Sequence, residues 1–599
     1  MLDARIFIPG PAYFEAMNEL LQNPQQLDVF NSKGNCVVLA GPGSGKTKCL
    51  TVKLARILSE DLRPPQGVAC ITYSTECVRH LRRQLAALGV RESPYLFIGT
   101  VHAFCLKYLV VPYAELAKIE IPRPVLVASK ADRSRKLEAA IGSVFHSTAP
   151  SGFHRLFHQA RRGEHSDVEI TEEVRDVIDA YVASLRKDGK VDFDDISQVA
   201  LKLVIEHQWV RSALCSRFPI LAVDEYQDLG APLHNIVTTL LATEQMRVIA
   251  VGDVDQSIYG FNGANPELLS QLAERRNIEV VRLRFNYRCG KTIIAASEAA
   301  LGEARDYEAK SSVLGTVDFH LCDGGLRHQA DFACRSIIPQ ALSRMTGRSL
   351  GDIAVLYYDR YIGDEIARAA SEHGFPVQRL DKGGPYEKTP LIRWLEDCAA
   401  WCADGWRVVD PYFPELLTTW RGFGSASLTG DAAQVREFRL TRFLSDHRSD
   451  SETVREWLRS FSDACLREAL QEPELADERE ALVKLWTALK PGGALEGMSV
   501  REFGGQRGSR DHLNLVTLHS AKGLEFQVVI ILGLDNGILP TGRVGQDIRE
   551  ERRLFYVGLT RAKHEVHLTY SGFAERFGRR SNRGPSVFLD EVRTRLLKE

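Results

Sequence analysis

The chain has 599 residues, of which 44% are hydrophobic and 26% charged, and its formal net charge is −2. This length predicts several domains, about four at roughly 150 residues each, with the composition of an ordinary globular protein. A net charge so close to zero argues against a generally basic coat protein for nucleic acid, although it allows a local basic groove. No apolar run is long enough for a membrane span, and the N-terminus has no signal-peptide pattern.

The 12 cysteines are scattered along the chain. Cys398 and Cys402 lie one helical turn apart, but no second close pair joins them, so a zinc or iron–sulfur site is not expected. Such cysteine usage is typical of a reducing compartment, and we expect a cytoplasmic protein that does not associate with membranes.

Short apolar runs that end in Gly, Asp or Thr recur in the first half of the chain, and helical patterns follow them. Their brevity and β-branched content predict buried parallel strands. The runs are Cys36–Ala40, Val68–Thr72, Ile220–Asp224 and Val248–Asp253. After the first run, Leu50, Leu54, Ile57 and Leu58 recur at helical spacing. Strand, loop and helix in this order indicate a doubly wound α/β sheet.

A second set of strand-like runs follows, separated from the first by segments that look mainly helical. The runs are Val280–Leu283, Ile353–Tyr357, Leu515–Leu518, Val528–Leu532 and Val566–Tyr570. We therefore predict an α/β fold with two parallel-sheet cores, each interrupted by a mainly helical insertion. The predicted boundaries are 1–105 and 195–278 for the first core, 106–194 for its insertion, 279–375 and 509–599 for the second core, and 376–508 for a reduced second insertion.

The strongest local signal is the glycine-rich loop between the first strand and its helix. A nucleoside triphosphate needs backbone N–H groups that converge on its phosphates, a cation for the β- and γ-phosphates, here Lys46, and a hydroxyl for Mg²⁺, here Thr47. The helix that starts there adds the positive end of its dipole. The predicted ATP-binding loop consists of Ala40, Gly41, Pro42, Gly43, Ser44, Gly45, Lys46 and Thr47. A glycine-rich turn without function is the alternative, which the order of strand, loop, Lys-Thr and helix disfavours.

A loop of this kind needs acidic partners, and the run that begins at Ile220 supplies them at its end. Asp224 is placed to hold Mg²⁺, directly or through water. Glu225 is placed to activate the attacking water, because hydrolysis needs a base near the γ-phosphate. An Asp-Glu pair alone is a weak signal, but this pair follows four apolar residues and precedes Tyr226-Gln227-Asp228. We predict ATP and Mg²⁺ as cofactors.

Further motifs occur in a fixed order and extend over nearly all of both predicted cores. They are Asn23–Gln26, Gly99–Phe104, Asp192–Asp195, Val223–Asp228, Val251–Tyr259, Asn286–Arg288, Thr517–Phe526 and Tyr556–Ala562. With these motifs the chain resembles the superfamily 1 DNA helicases of the UvrD/Rep/PcrA type. The resemblance implies two RecA-like cores and an ATP-driven motor on DNA.

The resemblance also implies roles around the nucleotide. Gln26 matches the glutamine that reads the adenine edge, Tyr287 matches the aromatic that stacks on the base, and Glu525 matches the residue that contacts the ribose. A side-chain amide suits the adenine edge because it can both donate and accept hydrogen bonds.

Three further matches concern the γ-phosphate. Gln256 matches the residue that senses this phosphate and links it to the DNA site. Arg288 and Arg561 match two arginines that reach it from the second core. A guanidinium suits that role because it is planar, permanently charged and bidentate. The resemblance thus implies that ATP closes a cleft between the cores and that hydrolysis reopens it.

The resemblance places single-stranded DNA on aromatic side chains, which commonly hold such strands by stacking. The base-contacting positions are Tyr73, Phe104, Tyr259 and Phe261 in the first core and Phe577 in the second. Thr72, His102 and His519 fall on positions that meet the DNA backbone. Packing in the core is the alternative for each aromatic residue. One departure is Asn262, where the family usually has arginine, which leaves one contact in this motif in doubt.

Two functions remain open at this level. In the first, the protein unwinds duplex DNA as it moves 3′→5′ on one strand, in repair, replication restart or recombination. In the second, it is an ATPase motor or sensor subunit of a larger DNA-processing or phage-defence assembly, with little unwinding of its own. Both imply single-stranded DNA and single-strand/duplex junctions as partners. We expect no nuclease domain of the RecB/AddA type beside the two cores, and a separate nuclease or repair protein is an expected partner.

Overall fold

The computed structural model comprises two compact units. The first contains Met1–Thr316, Arg543–His564 and Phe588–Glu599, and the second contains Val317–Gly542 and Glu565–Val587. The residues that the structure describes are 5–91, 93–146, 149–150, 152–163, 170–243, 246–310, 312–344, 347–379, 386, 389–408, 411, 413–423, 430–449, 452–470, 475–493, 495–504, 512–542, 547–576 and 579–598.

The first unit contains a six-stranded sheet in which every pair of neighbouring strands is parallel, in the order β3-β2-β6-β7-β1-β8. Two short two-stranded pairs accompany it, β4 with β5 and β9 with β10. The strands are β1 Asn35–Ala40, β2 Val68–Thr72, β3 Leu96–Thr100, β4 Leu126–Val127, β5 Lys190–Val191, β6 Ile220–Val223, β7 Arg247–Gly252, β8 Ile278–Leu283, β9 Phe285–Asn286 and β10 Glu308–Ala309.

The second sheet also has six strands, in the order β11-β16-β15-β12-β14-β13. Within it, β12 is parallel to β14 and β15, and β13 is parallel to β14. A two-stranded antiparallel pair, β17 with β18, follows. These strands are β11 Thr316–Leu321, β12 Ile353–Tyr357, β13 Val377–Arg379, β14 Leu513–Thr517, β15 Phe526–Ile531, β16 Ala562–Tyr570, β17 Ala574–Arg576 and β18 Arg579–Ser581.

Helices connect the strands and form the insertions. In chain order they are α1 Pro11–Leu20, α2 Pro24–Asn31, α3 Lys46–Arg56, α4 Thr75–Ala87, α5 Val101–Cys105, α6 Val111–Tyr113, α7 Lys130–Phe145, α8 Phe153–Arg161, α9 Glu172–Lys187, α10 Phe193–Glu206, α11 Gln208–Arg217, α12 Ala231–Thr243, α13 Glu267–Ala273, α14 Lys291–Leu301, α15 Gly325–Phe332, α16 Ile338–Arg344, α17 Arg360–Glu372, α18 Pro390–Ala400, α19 Trp406–Val408, α20 Phe413–Gly422, α21 Gly430–Asp446, α22 Val454–Phe461, α23 Arg467–Ala469, α24 Ala476–Leu489, α25 Val500–Gly504, α26 Ile548–Leu559 and α27 Val587–Leu596. Single π-helical turns lie at Ile57–Asp61, Leu106–Val110, Ala333–Ile337, Trp401–Gly405 and Ser462–Leu466, and 3₁₀ turns at Tyr226–Asp228, Val254–Gln256, Gly260–Asn262 and Leu350–Asp352. Across the described ranges, no helix combines the length and the apolar character that crossing a membrane requires.

The first sheet is covered on both faces, which explains why its strands are continuous apolar runs. Successive residues of β1 point to opposite faces, so that Val37 belongs to one buried cluster and Cys36 and Val38 belong to the other. The same alternation separates Ile71 from Cys70 in β2. Two hydrophobic cores therefore hold the sheet between them.

Parallel pairing brings the carboxyl ends of the central strands to one edge of the first sheet. Leu39 of β1 pairs with Gly252 of β7, and Ala40 of β1 pairs with Leu283 of β8. Val223, the last residue of β6, pairs with Ala250 of β7. The segments after β1, β6, β7 and β8, which carry the phosphate loop, Asp224, Gln256 and Tyr287, leave the sheet at this edge, where ligands bind in open α/β sheets.

The mixed α/β fold with two parallel-sheet cores is confirmed, and every predicted strand run forms a strand. One assignment was wrong: Val280–Leu283 was expected to open the second core, but β8 pairs with β1 along its whole length in the first sheet. The first sheet therefore extends beyond residue 278. The sequence reasoning also missed β3, which ends in Gly99-Thr100 and is only partly buried.

The predicted helical character of the second insertion agrees with α18 to α25, which lie within residues 390–504. Tryptophan rings organise its core: Trp394 and Trp420 stack with centroids 4.7 Å apart and an angle of 3° between their planes. Phe461 meets Trp394 edge-on at 5.6 Å. These buried aromatic contacts give the insertion a hydrophobic core of its own.

Candidate nucleotide and DNA site

The predicted phosphate loop runs from the end of β1 to the start of α3. Gly43 and Gly45 have φ angles of 67° and 80°, in the left-handed region that glycine enters without steric cost. No side chain caps the start of α3 at Gly45, so the first N–H groups of the helix face the loop. Ser44 Oγ donates to the Gly41 carbonyl at 2.8 Å and closes the loop on itself. Such a helix start is suited to bind an anion.

Two other predicted nucleotide segments contact this loop directly. Gln26 Nε2 donates to the Ser44 carbonyl at 2.9 Å. The Tyr287 N–H donates to the Gly43 carbonyl at 2.8 Å, and the Tyr287 hydroxyl accepts from Asn23 Nδ2 at 3.0 Å. The structure therefore brings the predicted adenine reader and the predicted stacking ring, which is 48% exposed, to the same loop.

Two buried carboxylates lie at the ends of the neighbouring strands. Asp224 follows β6 and Asp253 follows β7, and each is 3% exposed. Burial, followed by the charge of Glu225, raises the pKa of Asp224, and Lys46 opposes the rise. Burial likewise raises the pKa of Asp253 against the attraction of Lys46. The Lys46 ammonium is thus close enough to both acids to influence them.

Lys46 Nζ is buried and makes no hydrogen bond to any residue that the structure describes. A buried ammonium group without a hydrogen-bond partner is costly, and its partner is commonly a ligand. Thr47 follows it in the first turn of α3. The donor set of Lys46, Thr47 and Asp224 fits a triphosphate with its Mg²⁺ ion: a cation for phosphate oxygens, and a hydroxyl and a carboxylate as oxygen ligands for a hard metal.

The backbone of Glu225 has φ 53° and ψ 45°, the left-handed conformation, although Glu225 is not a glycine. Gln227 Nε2 donates a short hydrogen bond to the Glu225 carboxylate. The same amide accepts from the Asp253 N–H through Oε1, at 2.9 Å. One side chain therefore links the predicted base to the end of β7, and a Cβ at residue 252 would lie 2.5 Å from Gln227 Oε1, so only glycine leaves room for this arrangement.

Gln256, the predicted γ-phosphate sensor, donates through Nε2 to Asp253 Oδ2 at 2.6 Å. The adjacent Asp255 receives two hydrogen bonds from the Arg305 guanidinium, at 2.6 and 2.9 Å. Gly41 packs so closely against the Tyr307 ring that a Cβ at residue 41 would lie 2.5 Å from it. A cavity of about 990 Å³ at this edge is lined by Gly41, Asp253, Arg305 and Tyr307 among others.

Arg305 and Tyr307 are site residues that the sequence reasoning missed. They follow α14 in an irregular segment that belongs to none of the motifs. Glu298 Oε1 anchors the segment by accepting from the N–H groups of Arg305 and Tyr307, each at 3.1 Å. An irregular segment held by one glutamate leaves no periodic signal in the sequence.

The two predicted arginines lie in the same compact unit as the phosphate loop, although the sequence assigned them to the second core. Arg288 Nη1 donates to the Thr560 carbonyl at 3.2 Å. Arg561 is 2% exposed, and its guanidinium donates to the Val557 carbonyl at 2.9 Å and to Thr560 Oγ1 at 3.1 Å. A Cβ at Gly43 would lie 2.6 Å from the Arg288 Cβ, so Arg288 lies directly against the loop.

Three of the predicted DNA-contacting aromatics form a row in the first unit. Tyr73 and Tyr259 stack with centroids 6.1 Å apart, and Tyr259 meets Phe261 edge-on at 6.1 Å. Phe261 is 62% exposed. Next to this row, a cavity of about 420 Å³ is lined by Tyr73, His102, Phe193 and Asn262 among others. A row of one exposed and two partly exposed rings beside a groove offers stacking surfaces to successive bases.

Comparison with known proteins assigns the chain to a family. Residues 21–277 match the model of the UvrD/REP helicase N-terminal domain, and residues 432–572 match that of the UvrD-like helicase C-terminal domain. The chain belongs to the superfamily 1 helicases of the UvrD/Rep/PcrA type. As a member of this family it is an ATP-hydrolysing DNA helicase.

Its similar relatives include three proteins named ATP-dependent DNA helicase PcrA. That of Bacillus subtilis (strain 168) is 26% identical over 97% of this chain and 87% of the relative. That of Leuconostoc citreum is 26% identical over 98% and 86%, and that of Staphylococcus aureus (strain Mu50) is 25% identical over 97% and 88%. The similarity therefore extends over nearly the whole chain.

Two predicted DNA contacts of this helicase lie in its interior. Phe104 is 2% exposed and packs against Phe97, Tyr108 and Phe218 in the core. Residues two apart on a helix point about 200° away from each other. Since His102 faces the cavity, Phe104 in the same helix faces the core. Thr72 is likewise fully buried at the end of β2, so neither side chain offers a surface to DNA.

His102 has the position but not the charge of a phosphate contact. Burial, followed by the charge of Arg133, lowers the pKa of His102 to about 4. The ring lies 5.0 Å from that of Phe193. At neutral pH the imidazole is uncharged, so it can meet a DNA backbone only through a hydrogen bond or by packing.

The remaining predicted contacts belong to the second unit. His519 follows β14, its ring lies 6.2 Å from that of Tyr358, and burial lowers its pKa. Glu525 is exposed just before β15. Phe577 lies outside the described residues. The roles of His519, Glu525 and Phe577 stay predictions.

Proposed function

We propose that this helicase moves 3′→5′ along single-stranded DNA and separates the strands at single-strand/duplex junctions, with Mg²⁺ as its metal cofactor. The observation that carries the proposal is Lys46, a buried ammonium group without a hydrogen bond among the described residues, at the centre of the phosphate loop. The direction of movement rests on the resemblance to the family.

The site residues of the first unit have distinct tasks in ATP hydrolysis. Lys46 binds phosphate oxygens, Thr47 and Asp224 supply oxygen ligands for the metal ion, and Glu225 accepts the proton of the attacking water. Bound Mg·ATP supplies the phosphoanhydride bond that is broken. Arg288 stabilises the charge that develops on the transferred phosphoryl group, an effect worth about 10³–10⁵ in rate in comparable enzymes.

Arg561 has a different task in the proposed mechanism. Its guanidinium is held by Val557 and Thr560 inside the first unit. Because the Thr560 carbonyl accepts from Arg288, Arg561 supports the backbone that orients Arg288. Direct contact of Arg561 with the γ-phosphate would require those hydrogen bonds to exchange for phosphate contacts.

The short segment after β7 connects the nucleotide site to the aromatic row and couples ATP hydrolysis to DNA binding. Gln256 binds Asp253 at the phosphate end of the segment, and Tyr259, three residues later, stacks on Tyr73. A side chain that responds to the γ-phosphate is therefore connected by three residues to a ring that is placed to stack on a base. We infer that loss of the γ-phosphate shifts this segment and changes the grip on the strand.

The test is strand displacement from duplexes with a 3′ or a 5′ single-stranded tail, together with ATP hydrolysis with and without single-stranded DNA. We expect displacement only from the 3′-tailed duplex and hydrolysis stimulated by DNA. Displacement only from the 5′-tailed duplex would contradict the direction. Stimulated hydrolysis with displacement from neither substrate would favour the alternative, a motor subunit of a larger assembly.

A further inference from the structure

Two neighbouring strands of the second sheet carry ionisable side chains at alternate positions. Asp318 and His320 lie two residues apart on β11, and Glu565 and His567 lie two residues apart on β16. Residues two apart on a strand share a face, and β11 is adjacent to β16 in the sheet. Two imidazoles and two carboxylates therefore meet across the strands.

We propose that Asp318, His320 and His567 bind a divalent transition-metal ion of the zinc class. Neither the helicase activity nor any of the nucleotide or DNA residues described above involves these side chains. Imidazole nitrogens with one carboxylate are a donor set that suits zinc and its neighbours better than Mg²⁺, which prefers oxygen ligands.

The spacing of the ligand atoms fits such an ion. His320 Nε2 lies 3.1 Å from His567 Nδ1, and Asp318 Oδ2 lies 3.5 Å from that same Nδ1. All three ligand atoms lie within 4.8 Å of one another. Tetrahedral zinc with bonds of about 2.0–2.2 Å places its ligand atoms roughly 3.3–3.5 Å apart. The two separations that involve His567 Nδ1 already match this spacing, and the Asp318 and His320 ligand atoms lie within 4.8 Å of each other.

A hydrogen bond between the two imidazoles is the competing explanation of the 3.1 Å contact. If His567 Nδ1 accepts a hydrogen bond from His320 Nε2, it carries no proton that it could donate to the Asp318 carboxylate. If it donates to Asp318 instead, no proton of its own is left for His320. One linear hydrogen bond cannot satisfy both neighbours of Nδ1, whereas one cation bonds to all three atoms.

The surroundings of His567 also match those of a metal ligand. A ligating histidine usually turns its second ring nitrogen towards a carboxylate that fixes the orientation of the ring. His567 is 3% exposed, and its Nε2 lies 3.5 Å from Glu565 Oε2. Glu565 is held in turn by Arg344, whose Nη1 donates at 2.8 Å, and by a short contact from Arg348. The Glu565 carboxylate therefore lies beside the second ring nitrogen of His567, without a hydrogen bond to it.

The fourth position of the ion would be open to water. The Asp318 side chain is 43% exposed, whereas Glu565 is occupied by its two arginines. Because the ligands come from two strands, an ion here would clamp β11 to β16. This arrangement predicts a gain in thermal stability on metal binding.

The experiment is titration of the metal-free, nucleotide-free full chain with Zn²⁺ by calorimetry, repeated with Co²⁺ while its visible absorption is recorded. We expect about one equivalent of Zn²⁺ to bind and to raise the temperature of unfolding. His320→Gln and Asp318→Asn are the variants of choice, because both side chains are partly exposed and their removal should preserve folding. Changes outside the direct ligands already cost about 10–100-fold in affinity, so each variant should bind at least about tenfold more weakly.

His373→Gln is the matched control. Its Nε2 lies 2.8 Å from Asp331 Oδ1 in the same unit, which is the same imidazole–carboxylate chemistry, and no group of three metal-binding side chains is found around it among the described residues. This variant should bind Zn²⁺ as the parent does. The proposal is overturned if the parent binds no Zn²⁺ at micromolar concentrations. It is equally overturned if His320→Gln and Asp318→Asn bind as tightly as His373→Gln.

Discussion

Polar groups near the end of β1 in the first sheet and near the ends of β14 and β15 in the second differ in their hydrogen bonding. After β1, the chain leaves the Lys46 ammonium buried without a hydrogen bond among the described residues. After β14, the Thr517 hydroxyl accepts from the Ser520 N–H at 3.2 Å. Beyond β15, Asp535 accepts from the N–H groups of Ser571 and Gly572, at 3.0 and 2.7 Å.

The difference teaches where a ligand is to be expected. Polar groups that satisfy one another, as at Asp535, stabilise the fold and have no need of a ligand. A buried charge without such a partner, as at Lys46, stabilises the fold only when something else binds it. Substitution of Lys46 should therefore affect turnover, and substitution of Asp535 should affect stability.

The largest effect is expected for Lys46→Ala. Removal of the buried cation leaves the β- and γ-phosphates without their charge partner, so DNA-stimulated ATP hydrolysis should fall at least about 10³-fold. Phosphate release in the presence of single-stranded DNA measures it. Lys48→Ala is the control, because Lys48 lies on the same helix and pairs with the partly exposed Glu19. Hydrolysis at the parental rate in Lys46→Ala would contradict the assignment of the loop.

Arg288→Ala should lower turnover about 10³-fold while the affinity for single-stranded DNA changes little. The Arg288 Cβ lies against the phosphate loop, and Arg288 is not one of the three rings of the aromatic row. ATP hydrolysis and fluorescence anisotropy of labelled DNA measure the two quantities separately. The exposed Arg276, replaced by alanine, provides the matched control. Equal hydrolysis rates in Arg288→Ala and Arg276→Ala would refute the role of Arg288.

Glu225→Gln should lower the rate of hydrolysis about 10²–10⁴-fold and leave ATP binding intact. The amide preserves the shape of the side chain but cannot accept a proton. Rapid-quench measurement of the hydrolysis step, beside binding of a fluorescent ATP analogue, separates the two. Full turnover in this variant would exclude Glu225 as the base.

Tyr259→Ala should weaken binding of single-stranded DNA by about 1–3 kcal/mol, roughly 5–150-fold, because a stacking surface is lost. Phe104→Leu serves as the contrast, since this buried ring should affect stability but not the affinity of the folded protein for DNA. Anisotropy titrations at one salt concentration measure the affinity of each variant for single-stranded DNA. A loss of affinity in Phe104→Leu as large as that in Tyr259→Ala would show that Phe104 contributes to DNA binding.

The smallest effect on turnover is expected for Asp535→Asn. Donors face both carboxylate oxygens of Asp535, Gly572 N–H at Oδ1 and Gln329 Nε2 at Oδ2, so in either orientation the amide NH₂ faces a donor, which should cost about 1–3 kcal/mol of stability. The ATPase rate per folded molecule should stay at the parental value. Thermal unfolding and hydrolysis, measured on the same sample, check both. A slower ATPase in the folded variant would contradict the expectation that Asp535 affects stability alone.

The sequence was sufficient to predict features whose functional residues lie within one continuous segment of characteristic composition. The phosphate loop, Asp224 and the strand runs could all be recognised because each is a continuous segment with its own composition. Sheet membership could not be recognised in this way. β8 has the same apolar pattern whether it pairs with β1 or opens another sheet, and only the register of its partner decides.

Side-chain direction limited the prediction of the DNA site in a similar way. The motif around Phe104 names the right helix, but a five-residue helix is too short to show by periodicity which face is buried. Arg305 and Tyr307 could not be predicted as site residues for another reason. They reach the nucleotide edge from an irregular segment whose position depends on Glu298, a contact that no spacing rule anticipates.

The left-handed backbone of Glu225 has a consequence for engineering this enzyme. A residue with a side chain costs of the order of 1 kcal/mol or more in that conformation, and glycine avoids most of the cost. Glu225→Gly relieves this strain and removes the base, while it adds entropy to the unfolded chain and loses the Gln227 hydrogen bond. Selection for heat resistance alone does not select for the base. Screens for robust variants of this motor need a hydrolysis assay in every round, because without one they would also retain proteins that bind ATP and do not move.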